Sequence, residues 1–186
     1  ALTHGAVVAA SDVDADGCST RVGSVRQEVV TTLELRANEE FVRVEVAIDQ
    51  RCRDHRLRVH FPLPVRSDHS IAECAYAQVR RPLHAEGGPN EWGVATFPSR
   101  RFVRAGGLFV GHEGLCEYEL VDLDGQATDP HTTAGELALT LVRSTGWLSR
   151  GPMPSRPMPA GPEDHLEGAQ ARKFLPMRYV VALDPA

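Results

Sequence analysis

The chain has no apolar run near the ~20 residues a membrane helix needs, no N-x-S/T sequon and no C-x-x-C pair. Its opening, ALTHGAVVAASDVDADG, has neither the basic start nor the long apolar stretch of a secretory signal. A membrane partner is therefore not expected. The four cysteines, at 18, 52, 74 and 116, match no zinc-ribbon spacing. So few thiols in a chain of this size point to reduced cysteines in a cytoplasmic protein rather than to a disulfide framework. Aromatic residues make up 6% of the chain, which is low for a module that binds carbohydrate by stacking. A net charge of −5 argues against nucleic acid as a partner, because phosphate recognition needs a basic face. Arginines are locally dense (Arg51, Arg53, Arg56, Arg58, then Arg100, Arg101, Arg104) and read as solvated faces of alternating strands.

Motifs that carry chemistry are also missing. DVDADG (12–17) imitates the first half of a calcium loop, but the twelfth position is Gly23 instead of a bidentate Glu, so an acidic hairpin tip is expected. The eight histidines form no H-x-H, H-x-D or H-E-x-x-H pattern, and no metal site is expected. No G-x-S-x-G elbow supports a serine nucleophile, although composition leaves a Ser/His/Asp set open. Glu91, Glu113, Glu117 and Glu119 offer carboxylates, but nothing in the sequence pairs two of them for glycoside chemistry. No glycine-rich loop precedes a helix to cradle phosphate.

What is present has a period of two. In FVRVEVAID, Val42, Val44, Val46 and Ile48 share one face; in RLRVHFPLP it is Leu57, Val59, Phe61 and Leu63; in ELALTLVR it is Leu137, Leu139 and Leu141. Each pattern is that of a strand half-buried against a core. VRQEVVTTLEL, CAYAQV, LCEYELV and RYVVAL are further strand candidates. Turn chemistry separates them at 14–17, 36–40, 86–93, 104–107 and 122–125. Residues 163–172 allow one or two helical turns at most, with Gly168 interrupting. The expected fold is all-β: an antiparallel two-sheet β-sandwich, residues 1–186 forming a single domain.

One segment stands apart. From Leu137 to Glu163 a strand runs into WLSRGPMPSRPMPAGPE, which holds five of the chain's thirteen prolines. Each proline fixes φ near −65° and lowers the entropy cost of order, so a stiff, preorganised loop is expected. Trp147 closes the strand, and Trp92 lies in the turn-rich 86–93 segment, where a surface contact is expected.

Five segments occur in a telling order: DHRLRVHFPLP (54–64), NEWGVATFPSRRFVRAGG (90–107), GLCEYELVD (114–122), ELALTLVRSTGWLSR (136–150) and RPMPAGPE (156–163). This order resembles the C-terminal β-region of glycoside hydrolase family 38, the zinc-dependent α-mannosidases, on its bacterial mannosylglycerate-hydrolase-like branch. The resemblance runs from the strand around 25–35 to RYVVAL (178–183). One position departs from it: Arg104 stands where relatives carry an acidic residue. The family cleaves α-mannosidic bonds with retention, using an Asp nucleophile and a zinc held in an N-terminal barrel. None of those residues has a counterpart in this sequence. The resemblance thus implies a non-catalytic segment of a multidomain enzyme, with no catalytic residue, metal ligand or cofactor of its own and zinc confined to the barrel. Its partners would be that catalytic barrel, a helical bundle and, through the whole enzyme, a mannoside substrate. Arg150, Arg156, Trp147, Trp92 and Arg101 are the candidate substrate-binding residues. Self-association through apolar surface or an unpaired strand edge is also expected. The alternative is a stand-alone carbohydrate-binding β-sandwich module.

Overall fold

A computed structural model describes residues 2–13, 19–122, 133–153 and 155–184, with side chains from residue 21 onward. The acidic tip at 14–17 and the turn at 122–125 fall wholly or largely outside the described residues. Two antiparallel sheets face each other and do not close into a barrel.

The larger sheet has eight strands. They are β1 (Leu2–Val13), β2 (Ser19–Glu34), β3 (Phe41–Asp49), β5 (His69–Cys74), β6 (Ala77–Pro82), β8 (Phe102–Ala105), β9 (Leu108–Glu113) and β12 (Phe174–Leu183). Their spatial order is β1-β2-β3-β12-β9-β8-β5-β6. The smaller sheet has four: β4 (Arg56–Ser67), β7 (Thr96–Pro98), β10 (Glu117–Val121) and β11 (Ala134–Arg143), in the order β4-β11-β10-β7. Period-two side chains from both inner faces fill the space between the sheets. Ile48, Val103, Val110, Tyr118, Leu137 and Leu139 are the fully buried centre. Phe61 of β4 meets Tyr179 of β12 edge-to-face at 5.7 Å, and the Tyr118 hydroxyl of β10 bonds Ser70 Oγ of β5 at 2.7 Å. Burial raises the Tyr179 hydroxyl to about 12 and pushes the Tyr118 hydroxyl up as well, so both phenols stay neutral across the ordinary pH range.

Four strands cannot cover eight. Leu33 stands in register with Val44 and shares its inner face, yet Leu33 is 55% exposed while Val44 is 5% exposed. The Leu33 end of β2 thus overhangs the sandwich and meets solvent, whereas Gln27 on the same face is 1% exposed.

Several sequence expectations change. CAYAQV is not one strand: β5 ends at Cys74 and β6 begins at Ala77, with Tyr76 at φ 62 turning the hairpin between them. ELALTLVR does not alternate throughout, because the register with β4 shifts between Thr140 and Val142 and sends Val142 into the core in place of Leu141. Residues 2–13 form a full strand that the sequence did not single out. The weak helical stretch reduces to one 3₁₀ turn, Glu167–Gln170. The arginine-dense faces are ion-paired rather than merely solvated. Arg58 and Arg56 reach Glu119 at 2.5 and 2.8 Å, Arg53 reaches Glu167 at 2.9 Å, and Arg104 reaches Asp184 at 3.5 Å. Such exposed pairs are worth ~0–1 kcal/mol each, and they orient the outer faces more than they stabilise the fold.

Candidate functional site

The proline-rich segment between β11 and β12 forms a long strap pinned at its base and along its stem. At the base, Gln170 is 1% exposed. Its Oε1 accepts the Asp54 backbone N–H at 2.9 Å, and its Nε2 donates to Asp54 Oδ1 at 2.7 Å. Ser144 Oγ and Gln50 Nε2 both donate to the Gln170 carbonyl, at 2.9 and 3.3 Å. In the stem, Leu166 N–H reaches the Gly146 carbonyl at 2.7 Å and Leu148 N–H reaches the Asp164 carbonyl at 2.9 Å, so the two arms run antiparallel. Ser149 Oγ accepts the N–H groups of Ala160 and Gly161 at 2.8 and 3.1 Å, folding the tip back on the stem. The tip turns between Met153 and Arg156, whose backbones exchange bonds of 2.8 and 3.0 Å.

Trp147 sits on this stem, half-buried, with its ring edge-to-face to His165 at 5.5 Å and the Arg150 guanidinium 4.8 Å from its centroid. The cation–π contact holds Arg150 in place and contributes about 0.5–1 kcal/mol at a partly wet site. A second loop meets the tip: Trp92 donates its backbone N–H to the Ser155 carbonyl at 2.9 Å while its ring remains 63% exposed. Arg156 is half-buried, its Nε is cut off from solvent without a partner, and it forms no ion pair among the described residues. Near it at the tip, Met158 and Met153 are 55% and 43% exposed, and on the stem Leu148 is 58% exposed. Four of the five residues named from the sequence thus lie on the strap or on the loop that meets it: Trp147 and Arg150 on the stem, Arg156 at the tip and Trp92 on the second loop. Arg101 lies elsewhere: it precedes β8 and is held by Glu73 through bonds of 2.7 to 3.1 Å. The junction between Trp92 and Ser155 carries no sequence signal, since it joins residues far apart in the chain through backbone atoms alone.

The second loop depends on a glycine. A Cβ on Gly93 would lie 1.7 Å from the Ala85 carbonyl oxygen, at the neck closed by the 2.9 Å Ala85–Val94 backbone bond. Gly93→Ala is therefore expected to open the neck at a cost of about 2 kcal/mol or more. Faster amide hydrogen exchange at Trp92, with the core amides unchanged, is the measurement that checks it.

Elsewhere several groups of catalytic type are held in structural contacts. Ser99 Oγ and His112 Nε2 are 2.9 Å apart, but the two residues are 3% and 5% exposed. Ser99 spends its only proton on the Phe102 carbonyl at 2.7 Å, so His112 Nε2–H is the donor of the pair. This is a core hydrogen bond without substrate access. Glu117 and Glu119 are bound by Arg56 and Arg58, and Glu117 also accepts from Thr140 at 2.7 Å. His60–Glu136 and His69–Asp68 are close pairs, yet no three His, Cys, Asp or Glu side chains converge as a ligand set among the described residues. The residues described do not fit a zinc ion. Cys52, Cys74 and Cys116 are free thiols. No helix among the described residues is long and apolar enough to cross a membrane.

No protein-family model matches the sequence, and no curated protein sequence does. Among solved structures, an alpha-mannosidase from Enterococcus faecalis V583 superposes with a TM-score of 0.69 at 20% identity. The fold is α-mannosidase-related. The match covers 97% of this chain but 20% of the mannosidase, so the chain spans about one fifth of that enzyme's length. Within that fold, the strap and the loop that meets it carry four of the candidate residues, Trp92 exposed and Trp147, Arg150 and Arg156 half-buried.

Proposed function

We propose that this chain is a non-catalytic β-sandwich segment of a family 38-type, zinc-dependent α-mannosidase, belonging to its C-terminal region and acting as scaffold and wall of the substrate cleft. The observation that carries the reading is the fold likeness, which takes in nearly all of this chain and only a fifth of a much longer α-mannosidase. In this reading zinc and the nucleophile come from another part of the enzyme. The platform of strap and loop supplies the contact: a stiff strap, half-exposed methionines and the Arg156 guanidinium, without an ion pair among the described residues, suit burial against a neighbouring domain that offers a carboxylate.

Hydrolysis of an aryl α-mannoside with added zinc tests this, comparing the chain alone with the longer polypeptide containing it. Turnover by the longer polypeptide only is the expected result. Turnover by the chain alone would overturn it. Arg156→Ala refines the test. The chain's own stability is expected to change by less than about 0.5 kcal/mol, because no side-chain bond of Arg156 is lost among the described residues. In the longer enzyme, domain cohesion or catalytic efficiency should fall about tenfold or more. Unchanged kinetics together with an unchanged melting temperature of the whole enzyme would remove Arg156 from both contact roles.

A stand-alone sugar-binding module is the second reading. A groove of about 480 Å³ does cross the outer face of the larger sheet. Its lining is dominated by charged side chains, Arg36, Arg43, Glu45 and Arg178 among them, and its one aromatic, Tyr179, is 6% exposed. A groove without a stacking ring is a poor sugar platform, and the interdomain reading is preferred.

A further inference from the structure

Two open sheets have four edges, and natural proteins guard edges with proline, charge, shortness or bulges. β4 carries Pro62 and Pro64 along with Arg56 and Arg58. β6 carries Arg80 and Arg81 and ends on Pro82. β7 is three residues long and ends on Pro98. β1 differs from all three. From Leu2 to Ala10 it reads LTHGAVVAA, without a proline or a formal charge, and it pairs only with β2 among the described residues. Its guards, the register shift between Ala10 and Ser11 and the charge of Asp12, lie beyond that stretch.

We propose that β1 is the self-association edge of this chain: two copies pair β1 with β1 antiparallel across a two-fold axis, joining their larger sheets into one. A strand that pairs with its own copy must avoid like charges opposite each other. A two-fold centred on Ala6 sets Leu2 opposite Ala10, Thr3 opposite Ala9, His4 opposite Val8 and Gly5 opposite Val7. No charged residue meets its own kind, and Asp12 falls past the paired stretch. Residue parity is kept, so each copy's inner face stays continuous with the other's. The other edges fail this criterion, since self-pairing of β6 or β4 would bring arginines together or place prolines in the ladder. This inference is independent of the mannosidase reading.

The test begins with the unmodified chain. Light scattering should show the mass doubling as concentration rises to hundreds of micromolar. Over the same range, amide exchange should slow about tenfold at alternate residues between Thr3 and Ala10, those whose N–H groups face away from β2. Gly5→Lys with Ala9→Lys should restore the monomer: in the chain's own hairpin these positions stand opposite Glu28 and Ser24, so the hairpin tolerates them, while in the paired copies the lysines gather about the axis. Gln78→Lys on the β6 edge should leave the dimer intact. A monomer at every concentration would overturn the proposal. So would a dimer without protection in β1, or one that persists in the folded double variant. Should that variant unfold, the exchange pattern of the unmodified chain still decides.

Discussion

Replacing Gln170 with alanine is expected to destabilise the chain by about 2–4 kcal/mol, lowering its melting temperature by roughly 5–12 °C. The side chain is 1% exposed and satisfies both the N–H and the carboxylate of Asp54, which is itself held in a left-handed turn at φ 50. Truncation removes both of those bonds and leaves a hole where the strap meets the 50–55 loop. The effect should be local before it is global. Proteolysis within 150–160 is expected to accelerate more than the loss of stability alone would explain, because the strap loses its base while its stem bonds persist. Equal rates of cleavage in parent and variant would show that the stem suffices. Gln170→Glu sharpens the point: it keeps the volume but sets a second carboxylate against Asp54, so it should be no milder than alanine and should partly recover as pH falls.

Acid should weaken the fold through His112 in a window that carboxylates alone do not explain. Burial depresses the His112 imidazole to about 4, with the charge of Glu73 opposing and failing to offset it. The hydrogen bonds give the reason. Nε2–H is already donated to Ser99, and Nδ1 is a buried acceptor without a partner, so the added proton would have nowhere to go. In the unfolded chain the ring titrates near 6.5. Between pH 6.5 and 4 the unfolded state therefore binds the extra proton, and stability falls as pH drops. The full contribution, present above pH 6.5 and lost by about pH 4, is about 3 kcal/mol. His55, also lowered by burial, adds in the same direction, so the decisive quantity is the difference between the parent chain and His112→Gln. The variant's stability should vary less steeply across this window. An NMR titration in which the His112 ring protonates near 6.5 in the folded state would contradict the argument.

Legibility followed the kind of interaction at stake. Strands with one wet and one dry face announced themselves, and Val44, Val46 and Ile48 point inward as their spacing requires. β1 escaped notice because AVVAAS offers no alternation of size or polarity, and its place is set by a long ladder to β2. β8 and β9 were visible only as flanks of the 104–107 turn, since four and six residues give too short a period to read. At the platform, Trp147 and Arg150 are three residues apart and could be paired from the sequence. Trp92 reaches the strap only through the Ser155 carbonyl, and Gln170 reaches Asp54 across 116 residues. Such bonds depend on the whole fold and leave no local imprint. Arg101 had the right chemistry in the wrong neighbourhood, with Glu73 across the way to claim it.

The placement of β12 bears on how the protein is made. This strand, formed by residues 174–183, lies between β3 and β9 in the middle of the larger sheet. A nascent chain that has reached Lys173 can hold β1-β2-β3 as one ribbon and β9-β8-β5-β6 as another, with nothing to join them in the sheet. Synthesis must pass Leu183 before the two ribbons become one surface, so closure of this sheet on the ribosome waits for β12. Until then the facing edges of β3 and β9 stand open, and that interval is when a chaperone has most to cover.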